Sequence, residues 1–243
     1  MPEGPSIVIL KDAVKHFKSK KVIAVSGNTK IDKNRMLNQT IIDFKSWGKH
    51  FLICFKDFSV RIHFMLFGTY RINERKINPP RLSLRFKNGE LNFYACSVRI
   101  IEEGLDEVYD WSADVMNEQW SPSKAKKKIV KNPAMLACDA LMDQQIFSGV
   151  GNIIKNEVLF RIRVHPESKV GKMPAAKISA LIREARKYSF EFLEWKKAFV
   201  LKKHFLAYSK KTCPRDHIPF ALKILGKGRR RCFFCNKCQK LYR

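Results

Sequence analysis

An α+β fold is predicted for this 243-residue chain: an N-terminal β-sandwich with one early helix, followed by a helical domain that ends in a metal-stapled β-hairpin. Three observations predict it. Short alternating apolar runs fill residues 22–101, helical apolar spacing takes over after Ser121-Pro122, and four of the seven cysteines crowd the last 31 residues. The chain carries 48 Lys+Arg against 22 Asp+Glu, a net charge of +26. With 45% hydrophobic residues it has material for real cores, which excludes a disordered basic arm. A charge excess of this size recruits a polyanion by counterion release, and nucleic acid is the partner it points to. The basic residues are spread along the chain and not gathered on one amphipathic helix, which argues against a membrane surface.

The elements follow in order. Ile7, Leu10, Val14 and Phe17 recur at helical spacing behind Pro5, a residue suited to a first helical turn, and predict a helix over 6–19. Strands are predicted at Val22–Val25, Ile41–Phe44, His50–Phe55, Val60–Leu66, Leu82–Phe86 and Glu90–Tyr94, with Asn88-Gly89 as a hairpin turn. Residues 102–118 hold seven acids and no base and mark the boundary, so the domains read 2–110, a linker at 111–121, a helical domain at 122–204 and a cysteine hairpin at 205–243. Trp111 and Trp120, which flank this acidic segment, suit packing anchors. Helices are predicted at Ala125–Val130, Met135–Gln144, Ile153–Phe160 and from Ala175 to about Val200. The stretch 196–243 has 15 Lys+Arg against Asp216 alone.

Three local patterns carry chemistry. Pro2 follows Met1, a small second residue that suits initiator removal, and proline would then be a free secondary amine. An α-amino group titrates near ~7.7–8 against ~10.4 for lysine, so at neutral pH it is the better nucleophile toward an aldehydic carbon, giving an iminium. Glu3 beside it is a proton shuttle candidate. In Gln144-Gln145-Ile146-Phe147-Ser148-Gly149-Val150-Gly151-Asn152, the glycines allow tight turns and Asn152 suits a helix start, where backbone N–H groups bind phosphate. Cys213-Pro-Arg-Asp216-His217 and Cys232-Phe-Phe-Cys235-Asn-Lys-Cys238 supply a tetrahedral structural zinc site, and spacing alone leaves Cys232 and Cys238 as rivals for it. Clustered, odd-numbered cysteines suit a reducing compartment. No apolar run is long enough to span a membrane, and the start lacks a signal-peptide pattern, so a cytoplasmic, or nucleoid-associated, monomer is expected.

Taken together, Pro2-Glu3-Gly4-Pro5, the Gly-Val-Gly-Asn segment and the cysteine hairpin resemble the Fpg/Nei family of DNA glycosylases over nearly the whole chain. Ser46-Trp47-Gly48-Lys49-His50 resembles the family's Arg-Gly-Lys segment, His63-Phe64-Met65-Leu66-Phe67-Gly68 its wedge, and Asp143 to Glu157 its helix–two-turn–helix. The resemblance implies a bifunctional glycosylase and abasic-site lyase acting on double-stranded DNA. Pro2 would attack C1′ of the damaged nucleotide and Glu3 would protonate the sugar ring, with β,δ-elimination following. Lys49, Asn152 and Arg230 would hold phosphates flanking the lesion, alongside Gly151 at the same helix start. Met65, Leu66 and Phe67 would enter the void left by the flipped nucleotide. It also implies that Cys213, Cys235 and Cys238 bind zinc and that Cys232 stands aside; for the fourth ligand His217 is preferred to Asp216. Tyr94–Arg99 lacks the Pro-Arg-Arg-Phe loop of the oxidised-purine branch, and with the opening Pro-Glu-Gly-Pro this points to the endonuclease VIII branch and oxidised pyrimidines. Ser6 stands where the family tends to have Glu. Alternatives are an oxidised-purine enzyme of the same family and a non-catalytic zinc-dependent DNA-binding protein.

Overall fold

The computed structural model describes residues 2–243; the expected removal of Met1 lies outside the described residues. Packing divides the chain after Asp110, and Trp111–Arg243 forms the second unit.

In the first unit, Pro5 opens helix α1 (Gly4–Ala13), whose Ile7 and Leu10 are buried. Six antiparallel strands follow: β1 (Ala24–Ser26), β2 (Asp43–Trp47), β3 (His50–Cys54), β4 (Ser59–Ile72), β5 (Leu82–Phe86) and β6 (Gly89–Ile101). They make one continuous sheet in the order β1-β5-β6-β4-β3-β2. The sandwich-like core is thus closed by a single curled sheet: Phe51 of β3 and Phe93 of β6, on strands that are not neighbours, bring their rings to 5.9 Å, and both belong to one core with α1. The expected β5–β6 turn is displaced by one residue. Phe86 pairs with Gly89, so Lys87 and Asn88 make the turn and Gly89, at φ +148°, opens the next strand. A short helix, α2 (Leu105–Val108), lies in the acidic segment.

The second unit holds α3 (Pro122–Val130), α4 (Ala137–Met142), α5 (Asn152–Arg161), the long α6 (Ala175–Lys197) and a hairpin of β7 (Ala221–Leu225) and β8 (Arg230–Phe234). The Ser121 hydroxyl accepts the Lys124 amide and caps α3. Residues 111–121, expected as a linker, pack as part of this unit: Val115 and Trp120 join the helical core. The hairpin also shares that core through Cys232 and Phe234, because two five-residue strands cannot bury a core of their own. Among the described residues, no helix is long and apolar enough to cross a membrane.

Candidate nucleic-acid interface and metal centre

In the first unit, Glu3 is the N-cap residue of α1 and is only 1% exposed, while Pro2 before it is partly exposed. Pro2 therefore stands directly before α1 beside a carboxylate withdrawn from solvent, and its nitrogen would be a secondary amine only after loss of Met1. Ser6 donates its backbone N–H to the Glu3 carbonyl at 2.8 Å.

Lys49 sits in the two-residue turn between β2 and β3, since Trp47 pairs directly with His50. Gly48 takes φ +53° there, a conformation in which a Cβ would be strained. Around Lys49 lies a cluster that the sequence did not mark out. His50 and His63 face each other across β3 and β4 with ring centroids 5.1 Å apart, and His50 Nδ1 lies 3.1 Å from the Tyr109 hydroxyl. Burial, with Arg61, His63 and Lys49 nearby, pushes His50 down to about 3. Burial lowers His63 too, with Lys49 next in effect. In the sequence His63 is a strand residue at the head of the wedge segment, with no role of its own; strand register, which no single residue shows, makes it the partner of His50.

Met65, Leu66 and Phe67 lie where the β4–β6 register shifts between Phe64 and Thr69. They are 55%, 54% and 81% exposed, so at this irregularity all three turn outward. Gly68 makes this possible. A Cβ there would lie 2.7 Å from Phe64 Cβ and 2.8 Å from the Ala95 carbonyl oxygen. Opposite, residues 94–99 run on as part of β6, with Cys96, Ser97 and Val98 paired to Phe64, His63 and Ile62, and no loop leaves the sheet.

In the second unit, α4 and α5 are joined by two turns. Asp143 starts the first, its carbonyl accepting from Phe147 at 2.8 Å and its carboxylate from the Gln145 amide at 2.8 Å. Gln144 then braces the second, donating to the Val150 carbonyl and accepting from Gly149, which adopts φ +98°. Gly151 is the N-cap residue of α5 and Asn152 its first residue. The start of α5 is fastened to β8: Asn156 donates to the Arg231 carbonyl and accepts from the Phe233 amide at 2.8 Å. Glu157, fully buried, receives three backbone N–H bonds from Leu206, Ala207 and Tyr208. The turn of the hairpin rests on α4, where Asp139 accepts the Lys227 amide at 2.8 Å. Arg230 begins β8 with its side chain exposed, as are Arg229 and Arg231.

Cys213, Asp216, Cys235 and Cys238 bring one ligand atom each within 4.8 Å of one another. Cys213 Sγ stands 3.9 Å from Cys238 Sγ, and Asp216 Oδ2 stands 3.6 and 3.2 Å from the thiols of Cys213 and Cys235. Tetrahedral zinc, with bonds of ~2.3 Å to sulfur and ~2.0 Å to oxygen, requires edges of ~3.8 and ~3.5 Å. The donor set fits, with every position protein-filled, so a metal here would staple the hairpin. The structure gathers Asp216, rather than the expected His217, with the three thiols. His217 takes φ +56° and gives its N–H to the Cys213 carbonyl, a turn geometry that leaves its ring exposed and puts the preceding carboxylate among the thiols. Gln239 secures the last pair, accepting the Cys235 amide and donating to the Val164 carbonyl. Cys232 stands outside the group, beside Lys155 at 3.0 Å.

Residues 112–199, most of this unit, match the Formamidopyrimidine-DNA glycosylase H2TH domain. The chain is 28% identical over 232 residues to Endonuclease 8-like 3 of Xenopus laevis, covering 90% of this chain and 38% of that protein. To Endonuclease 8-like 2 of Bos taurus it is 31% identical over 195 residues, 74% of this chain and 58% of that one. It therefore spans between a third and three fifths of the length of these relatives. In fold it is similar to Lactococcus lactis formamidopyrimidine-DNA glycosylase bound non-covalently to DNA containing an abasic site, with a TM-score of 0.85 at 18% identity over 98% of this chain and 99% of that one. The chain belongs to the Fpg/Nei family, on its endonuclease VIII-like side.

Proposed function

We propose that this protein is a bifunctional DNA glycosylase and abasic-site lyase that removes oxidised pyrimidines from duplex DNA. The observation that carries the reading is the Pro2-Glu3 start: a proline directly before α1, a secondary amine once Met1 is removed, with a carboxylate 1% exposed beside it. A non-catalytic DNA-binding protein has no use for that pair.

Pro2 nitrogen attacks C1′ of the damaged nucleotide, the C1′–N bond breaks, and the base leaves with a proton. Glu3 supplies a proton to the ring oxygen as the sugar opens, leaving an iminium between Pro2 and C1′. Loss of a C2′ proton expels the 3′ phosphate by β-elimination, and δ-elimination then expels the 5′ phosphate. Lys49 contributes a phosphate contact from the first unit; Asn152, the N–H groups after Gly151 and Arg230 contribute theirs from the second. Met65, Leu66 and Phe67, three neighbouring apolar side chains exposed together, fill the space of the extruded nucleotide. A metal held by Cys213, Asp216, Cys235 and Cys238 would supply structural cross-linking only.

Support for pyrimidines comes from the continuity of β6 through 94–99, which leaves Met65–Phe67 as the void filler on this unit. A monomer in a reducing compartment, the cytoplasm or nucleoid, suits seven free cysteines. The test is excision from duplexes carrying thymine glycol, dihydrouracil or 8-oxoguanine, with the strand ends analysed. Phosphate at both ends of a one-nucleotide gap, fastest for the pyrimidine lesions, is expected. Preference for 8-oxoguanine would move the protein to the purine branch, and intact strands with tight binding would leave a DNA-binding protein.

A further inference from the structure

Lys155 is 1% exposed on α5, and its head group meets three acceptors: Asn152 Oδ1 at 2.7 Å, the Arg231 carbonyl at 3.1 Å and Cys232 Sγ at 3.0 Å. An ammonium has three donors and no acceptor, so this environment satisfies it in full. Burying a lysine is costly, and an apolar residue would pack between α5 and β8 at less expense. The bond to Asn152 gives the cost a reason.

An asparagine amide is nearly symmetric in shape, and its neighbours decide which end carries oxygen. With Oδ1 held by Lys155, the Nδ2 donors of Asn152 are turned to the other side. The opposite rotamer would set Nδ2 against the Lys155 head group, donor to donor. Through the Arg231 carbonyl the same lysine grips the strand that begins with Arg230, two residues from Cys232. Cys138 of α4 completes the cluster: its thiol donates a hydrogen bond to Cys232, which is drawn down to about 7 by that bond against the effect of burial, with Lys155 acting in the same sense.

We infer that Lys155 is a positioning residue for DNA binding: it fixes the Asn152 amide with its donors outward and sets Asn152 in register with β8, so that the start of α5 meets a phosphate ready-made. This rests on the reading of Asn152 as a phosphate contact. A purely structural lysine would serve the hairpin docking without regard to Asn152.

The experiment is a double-mutant cycle read as affinity for a duplex containing a tetrahydrofuran abasic analogue, with melting temperature and zinc content measured for each variant. Asn152→Ala is expected to weaken binding about ten- to hundredfold, as loss of a hydrogen bond to a charged group does. Lys155→Met should weaken it roughly tenfold, Lys155→Gln, which keeps a donor, should restore most of that, and Asn152→Ala/Lys155→Met should bind no worse than Asn152→Ala alone. Additive losses would overturn the inference, because Lys155 would then act apart from Asn152. So would a Lys155→Met variant that binds as the parent does, or losses that follow melting temperature alone. Should Lys155→Met not fold, Cys232→Val, which releases one restraint on Lys155, must show the same non-additivity with Asn152→Ala. An unaffected Asn152→Ala would sink the phosphate contact and the inference together. Binding is the readout, so failure to excise any base would count against the proposed enzyme activity alone.

Discussion

The Asp216 carboxylate lies 3.2 Å from the Cys235 thiol and 3.6 Å from that of Cys213, completing a four-donor group in which His217 has no part. Asp216→Ala is therefore expected to lower zinc affinity at least tenfold and the melting temperature with it, whereas His217→Ala should leave both unchanged. Metal analysis after dialysis against a chelator, followed by thermal unfolding, checks this. Equal zinc loss in both variants would restore the histidine.

The exposed bulge gives a clean separation of stability from function. Phe67→Ala removes a side chain 81% exposed, so it should shift unfolding free energy by less than about 0.5 kcal/mol while slowing excision markedly. Gly68→Ala should do both kinds of damage, because its Cβ would press on backbone at 2.8 Å. Unfolding curves and single-turnover excision distinguish them. An inert Phe67→Ala in both assays would remove the wedge.

His50 ties stability to pH. Its folded-state value, about 3, lies below the ordinary 6.5, so the unfolded chain takes up a proton that the folded chain refuses. The contribution is present in full above 6.5 and is lost as pH falls from there toward 3, at no more than about 1.4 kcal/mol per pH unit for the one group. His63 acts in the same direction. Chemical unfolding of the parent and His50→Gln across that range should show a shallower decline in the variant. Parallel declines would place the histidine outside the account.

Salt dependence measures the phosphate contacts one at a time. Removing Lys49 as Lys49→Met should weaken damaged and undamaged duplexes alike and reduce the slope of log K against log salt by about 0.9. An unchanged slope would mean that Lys49 carries no phosphate.

Much of this architecture is legible in the sequence, and the failures have physical causes. Some elements declare themselves by apolar spacing, as Leu82, Leu84 and Phe86 do at the two-residue period of a strand, whereas α5 is buried all round from Ile154 to Phe160, polar residues included. The Lys155–Cys232 contact spans 77 positions and leaves no periodic trace. Asp216 and His217 are adjacent, and choosing between them requires the φ +56° turn, which spacing does not encode. Residues 111–121 read as a linker from their acids, yet Val115 and Trp120 go to the core. The His50–His63 pair exists only once β3 and β4 are in register.

The central claim is that Pro2 is the nucleophile. Borohydride reduction during reaction with a thymine-glycol duplex should trap a covalent protein–DNA complex whose modified peptide begins at Pro2, and neither Pro2→Gly nor a form that retains Met1 should match its yield. No adduct, or one mapped to a lysine with Pro2 unmodified, would contradict it.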